Sequence, residues 1–236
     1  YEIVPTTEAE WNKIEMGFRH RWHFPDCYGA LDGKHIQIRA PPHSGSDFFN
    51  YHETFSVILM ALVDYDYCFS YVNIGANGRS SDGGVYQNSA LCHALENGML
   101  PHEGCIVADD AFPLKPYLMK PYSRTQLTTD KKVFNYRLSR ARRIVENAFG
   151  IIVSRFRVFE KPISLRVEVV EKIVRAACTL HNFLISTGSP EYAETVQDDG
   201  GGESGGAGDQ ELDELRGVEI RDRRRTSFSL HLVKMD

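Results

Sequence analysis

The chain has 236 residues, 42% of them apolar and 25% charged, with 27 basic against 32 acidic side chains and a net charge of −5. That composition belongs to a globular chain and excludes the collagen-like, coiled-coil and wholly disordered classes. Its longest strongly apolar run, Val57 to Val63, falls far short of the roughly 20 residues a membrane helix needs.

In chain order, residues 1–24 read as a linker ahead of the first element, with neither the basic nor the apolar stretch of a signal peptide. Residues 27 to 39 read as a strand closed by Pro41-Pro42. Phe55 to Val63 is an apolar run of strand length, Asp64-Tyr65-Asp66 a turn, and Tyr67 to Ile74 a second strand, which together predict a hairpin. Gly75-Ala-Asn-Gly78 breaks the pattern, and Gly83 to Asn97 reads as one helix with Val85, Ala90, Leu91 and Leu95 on its apolar side. Gly104 to Ala108 is a short buried strand running into Asp109-Asp110, followed by an irregular Pro-rich stretch from 113 to 129.

The clearest helix runs from Lys131 to about Phe159, where Phe134, Leu138, Ala141, Val145, Ala148, Ile152 and Phe156 recur at steps of three and four. Pro162 interrupts the chain, and Val167 to Ile185 forms the last helix. Strands, hairpin and helices in this order predict an α/β fold, a mixed sheet with helices on both faces. From Gly188 onward the sequence is acidic and Gly-rich and lacks the apolar surface to order itself. A domain over 25–187 and a disordered tail over 188–236 follow; the basic cluster Arg221 to Arg225 within the tail is a weak localisation signal.

Resolved along the chain, the mean charge conceals a polyanion-binding candidate. Residues 1–130 hold 9 basic and 16 acidic side chains, 131–175 hold 12 and 4, and 191–236 hold 6 and 12. The middle block, at +8, has only four acids to pair twelve bases. The five cysteines are odd in number, widely spaced and free of any Cys-x-x-Cys pair, which reads as reduced thiols of an intracellular protein.

Three acids stand at element ends where a crevice opens: Asp32 within the first strand, Asp109 after the short strand, and Glu146 on the long helix, one turn beyond Arg142. An unpaired carboxylate facing a core costs several kcal/mol. If the two strands are neighbours, Asp32 and Asp109 lie within a few ångström of each other and cannot both stay ionised without a cation. Hard oxygen donors with no cysteine among them select Mg²⁺ or Mn²⁺ over zinc. Taken singly, each acid has a plainer reading, and for Glu146 it is an i,i+4 pair with Arg142.

Five blocks in order, Gly29–Ile36, Ser81–Tyr86, Val107–Leu114, Phe134–Gly150 and Leu180–Asn182, resemble the PIF/Harbinger transposase family, which includes the Harbinger-derived nucleases of animal genomes. The resemblance spans about Pro25 to Ile185 and implies a ribonuclease-H-like catalytic core of the DDE type. In it Asp32, Asp109 and Glu146 would hold two divalent metals (Mg²⁺ or Mn²⁺), with Asp82 as a further metal residue whose plainer reading is a helix N-cap. Asp110 competes with Asp109, which stands nearer the strand end. The resemblance implies DNA as the substrate, cut and, in a transposase, rejoined in a nuclear setting, with a separate Myb-like DNA-binding protein as a partner. Lys131, Lys132, Arg140, Arg142 and Arg143 would then grip the phosphate backbone.

Other signals carry less. Asp64-x-Asp66 fits a hairpin turn better than a phosphoaspartate site, and no Gly-x-Ser-x-Gly elbow is present. The histidines at 20, 23, 43 and 52 have no matching cysteine set. His181 and Asn182, on an apolar helix, read as satisfying buried hydrogen bonds. The rival to an enzyme is a domesticated, non-catalytic chromatin module on the same fold.

Overall fold

A computed structural model describes residues 5–188 except 102, 124 and 126. In chain order it holds α1 (Glu8–Trp22), β1 (Cys27–Gln37), β2 (Ser56–Val63), β3 (Phe69–Asn77), α2 (Asp82–Gln87), α3 (Ala90–Glu96), β4 (Cys105–Val107), β5 (Leu118–Met119), α4 (Thr129–Arg155) and α5 (Val167–Ser186). The strands form one sheet in the order β3-β2-β1-β4-β5. β1, β2 and β3 pair antiparallel, while β4 lies parallel to β1 and β5 parallel to β4. This is the mixed α/β sheet expected of a ribonuclease-H-like fold.

Strand alternation divides the core into two layers. Ala30, Val57, Leu59, Ala61, Val63, Cys105 and Val107 face α1, α4 and α5, whereas Leu31, Ile58, Met60, Leu62, Ile106 and Ala108 face α2 and α3. Every residue of β2 is buried because both faces are covered, which is why it reads as an unbroken apolar run. The stripe on α4 buries Leu138, Ala141, Val145, Ala148 and Ile152 against the first layer.

Several boundaries differ from the sequence expectation, each for a local reason. The stretch 1–24 contains α1, opened by a capping box between Thr7 and Glu10 and buried through Ile14, Phe18 and Trp22 in the core layer. It is not a linker. Gly75 does not end β3: it is the extra residue of a bulge opposite Ile58 and Leu59, at φ +110°, and pairing continues to Asn77. The single helix expected over Gly83 to Asn97 is two, broken at Asn88, with Ser89 accepting from the Cys92 N–H to cap α3. The irregular stretch hides β5, two residues long and defined only by its parallel bonds to β4. α4 closes at Arg155, and a single 3-10 turn follows over Arg157–Phe159.

The five cysteines are unbridged, all buried but the half-buried Cys68. Among the described residues no helix is long and apolar enough to cross a membrane. The acidic Gly-rich tail and the Arg221 to Arg225 cluster lie outside the described residues.

Candidate active site

β1 and β4 run parallel with Ala30 opposite Val107. Carried on by two residues, that register brings Asp32 and Asp109 abreast, both on the side of the sheet covered by α4. Asp32 is 14% exposed. Its Oδ1 accepts from the Gly33 N–H at 2.8 Å, and its Oδ2 accepts from Arg142 Nη1 at 3.3 Å. Burial pushes its pKa up to about 7; the Gly33 N–H and Arg142 oppose the rise, and the nearby carboxylates of Asp109 and Asp82 add to it.

Asp109 is half-buried, and its Oδ1 accepts from the Ala111 N–H at 2.9 Å in a tight turn at the strand end. Asp110 is exposed, its carbonyl accepts from Lys120 at 3.2 Å, and the charge felt by Asp32 and Asp82 is that of Asp109. Asp109 is therefore the member of the pair that belongs to the cluster.

Asp82 is not an N-cap. Ser81 fills that role by accepting from the Gly84 N–H at 3.2 Å, which leaves Asp82 in the first turn of α2 with its carboxylate against Gly33. A Cβ at position 33 would collide with that carboxylate, and one at Gly83 would press on the Ala111 carbonyl. The two glycines let α2 seat Asp82 beside the residue that follows Asp32. Burial, and then the field of Asp109, raise the pKa of Asp82.

Glu146 is 46% exposed and paired with Arg142 Nη2 at 2.6 Å, so the i,i+4 contact anticipated for it is present. The same guanidinium reaches Asp32, making Arg142 a cation between two of the expected site acids. That bridge is not legible in the sequence, since it depends on how α4 lies across β1. Gly150, one turn on, faces open space and closes around nothing.

The basic residues divide by environment. Lys132 and Arg143 are exposed on α4, and Arg140 is half-buried. Lys131 lies over the Tyr122 ring at 5.1 Å, and Asn135 anchors the same segment by accepting from the Tyr122 N–H and donating to its carbonyl. Arg142 turns inward to the acids. Lys34, unremarked in the sequence, stands next to the cluster on β1, its pKa lowered by burial against the pull of Asp32.

His181 and Asn182 do structural work. Asn182 accepts from the Phe69 N–H at 2.8 Å and donates to the Phe69 carbonyl at 2.9 Å, standing in for a strand partner at the start of β3. His181 Nε2 lies 2.8 Å from the Tyr67 carbonyl. Asp64 is a turn residue, accepting from the Asp66 and Cys68 N–H groups.

With this geometry in view, residues 31–182 match the family model described as DDE superfamily endonuclease. The chain belongs to that family. The matched span takes in Asp32, Asp82, Asp109 and Glu146, and it ends at Asn182. Among curated proteins, the ALP1-like protein of Arabidopsis thaliana is 29% identical over 192 residues, 74% of this chain and 47% of the relative. The candidate nuclease HARBI1 of Rattus norvegicus is 24% identical over 195 residues, 81% of this chain and 55% of the relative. The Arabidopsis thaliana protein named Antagonist of like heterochromatin protein 1 is 24% identical over 191 residues, 75% of this chain and 48% of the relative. The chain thus spans about half the length of the curated relatives it matches. No solved structure matches it.

A divalent cation suits the donor set. Asp32, Asp82 and Asp109 offer only hard oxygens, and burial, with the nearby carboxylates adding to it, raises the pKa of Asp32 and Asp82. Among the described residues, no group of three or more His, Cys, Asp or Glu side chains is placed to hold a metal ion by itself. A Mg²⁺-type site does not need one, because one or two carboxylates suffice when water and substrate phosphates complete the shell.

Proposed function

We propose that this chain carries the catalytic domain of a divalent-metal-dependent DNA endonuclease, with strand joining as a further capacity of the same site. The observation that carries the reading is the grouping of Asp32, Asp82 and Asp109 where the middle of β1 meets the C-terminal end of β4, and where burial and then mutual repulsion push Asp32 up to about 7. Such a cluster is costly without a cation, and a structural role does not explain retaining it.

In this reading Asp32, Asp82, Asp109 and Glu146 hold Mg²⁺ or Mn²⁺, which when bound polarises the scissile phosphate as a Lewis acid. The remaining work falls to the chain. The turn at Asp109 and the Gly33 backbone fix two of the carboxylates in place before substrate arrives. Arg142 holds Asp32 and Glu146 to one guanidinium and keeps them from drifting apart. Lys132 and Arg143, exposed on the helix that carries Glu146, meet the phosphate backbone of the DNA, with Lys131 and Arg140 flanking them. A nuclear location, a Myb-like partner and a catalytic unit ending near residue 187 belong to the same proposal.

A second reading, a non-catalytic chromatin-associated module, draws on one observation. Arg142 already pairs Asp32 with Glu146, so those two charges are partly balanced without metal. Nicking of supercoiled plasmid with Mn²⁺ against EDTA separates the two. The endonuclease reading expects Mn²⁺-dependent nicking lost in Asp32→Asn and Asp109→Asn; equal behaviour of wild type and variants supports the module.

A further inference from the structure

The connection between β1 and β2 carries a feature that the carboxylate site does not use. Tyr51 and His52 stand at the tip of a turn, ring centroids 3.9 Å apart and tilted by 42°. His35, from β1, meets both edge-on, at 5.5 Å from Tyr51 and 6.1 Å from His52. Tyr51 is 79% exposed, so its ring adds little to the core. Phe49, beside it in sequence, is instead paired with Phe55 at the base of the turn.

The turn is held rigidly for so exposed a group. Asn50 is buried and accepts through Oδ1 from the His52 N–H, the Thr54 N–H and the Thr54 hydroxyl. Its Nδ2 donates to Ser56 Oγ at 2.8 Å, and that hydroxyl lies 2.8 Å from His35 Nδ1. Glu53 adopts φ +60° to close the turn. One network therefore fixes the His35 ring and the backbone that carries Tyr51 and His52 relative to β1.

Its position links it to the site. His35 lies on the same side of β1 as Gly33, two residues away or about 7 Å along the strand, and Gly33 is where the Asp82 carboxylate rests. The segment leading into Asp82 is tied to the same loop, because the Arg79 N–H donates to the Asp47 carbonyl at 3.3 Å. Arg79, exposed at the start of that segment, brings positive charge beside the rings, suited to a strand's phosphates. Rigid exposed aromatics beside basic residues are what an unpaired nucleobase stacks on, whereas a base inside a duplex offers no free face.

We propose that His35, Tyr51 and His52 form a stacking platform for one unpaired nucleobase, so that the neighbouring carboxylate site takes DNA at a strand end or a splayed nucleotide. The proposal rests on reading that site as DNA-cleaving, but its test does not depend on cleavage.

The test uses the full chain in EDTA and a single-stranded oligonucleotide carrying 2-aminopurine, whose fluorescence falls when it stacks, beside a blunt duplex of the same sequence. Wild type quenches the single strand. Tyr51→Ala and His52→Ala weaken single-strand binding by about tenfold, the loss of one stacked base, while Tyr51→Phe keeps it and duplex binding stays the same in all four proteins. Tyr51→Ala binding the single strand as tightly as wild type overturns the platform. So does Tyr51→Phe failing as badly as Tyr51→Ala, or duplex binding falling in parallel. Urea midpoints confirm that the variants fold, and His52→Ala provides the same comparison should Tyr51→Ala not. Quenching by a wild type that never nicks DNA with Mn²⁺ removes the endonuclease reading and leaves the platform; nicking by a wild type whose single-strand binding ignores Tyr51→Ala removes the platform alone.

Discussion

Replacing Arg142 by alanine isolates the electrostatics of Asp32. The two side chains are 22% and 14% exposed, so their pairing is largely sheltered from solvent. Removing one partner of a buried pair ordinarily costs about 3–5 kcal/mol, because a bare charge stays behind. Asp32 has an escape, since its pKa already stands at about 7 and the loss of Arg142 raises it further, letting the carboxyl take up a proton. A carboxyl whose folded pKa lies above its unfolded value contributes stability that is present at low pH and lost as pH rises through the folded pKa. In Arg142→Ala the site is therefore still protonated, and the cost small, at pH 6. At pH 9 the variant bears the cost of that further rise, about 1.4 kcal/mol for each pKa unit. The Arg142–Glu146 contact, with Glu146 46% exposed, is worth about 0–1 kcal/mol. Urea unfolding of wild type and Arg142→Ala at pH 6 and pH 9, without divalent metal, measures the difference. A destabilisation of the same size at both values refutes the reasoning.

Other elements make sharper structural predictions. Asn182→Ala strips the Phe69 N–H and carbonyl of their partner on a buried strand end, at about 1–3 kcal/mol per group; urea unfolding should show a loss of about 2–6 kcal/mol, and a loss below about 1 contradicts the clamp. Gly33→Ala drives a methyl group into the Asp82 carboxylate and should lower the Tm in the wild-type background but much less in an Asp82→Ala background; an equal penalty in both means that the glycine is needed for something else.

How much was legible in the sequence follows from how local each feature is. β2 shows as an apolar run because both its faces are covered, and the α4 stripe shows because one face of a long helix meets one layer. α1 has a local signature too: the capping pair Thr7 and Glu10 precedes Ile14, Phe18 and Trp22 at steps of four. β5 carries no periodicity in two residues and exists only through its bonds to β4. The break between α2 and α3 lacks glycine or proline, so only the cap at Ser89 marks it. Asp32 is readable as an acid within a strand and Asp109 as one at a strand end, and the parallel register brings them abreast. The Arg142 bridge, the seat of Asp82 on Gly33 and the grouping of His35 with Tyr51 and His52 join segments far apart in sequence, and no local pattern announces them.

The central claim is that the carboxylates of Asp32, Asp82 and Asp109 are a divalent-cation site completed by the substrate's phosphate. Titrating Mn²⁺ into the full chain, with and without non-cleavable phosphorothioate DNA, tests it directly. The account predicts weak Mn²⁺ binding by the protein alone, tighter binding when DNA is present, and loss of both in Asp32→Asn and Asp109→Asn. Wild type that takes up no more Mn²⁺ than Asp32→Asn, with DNA present, contradicts it.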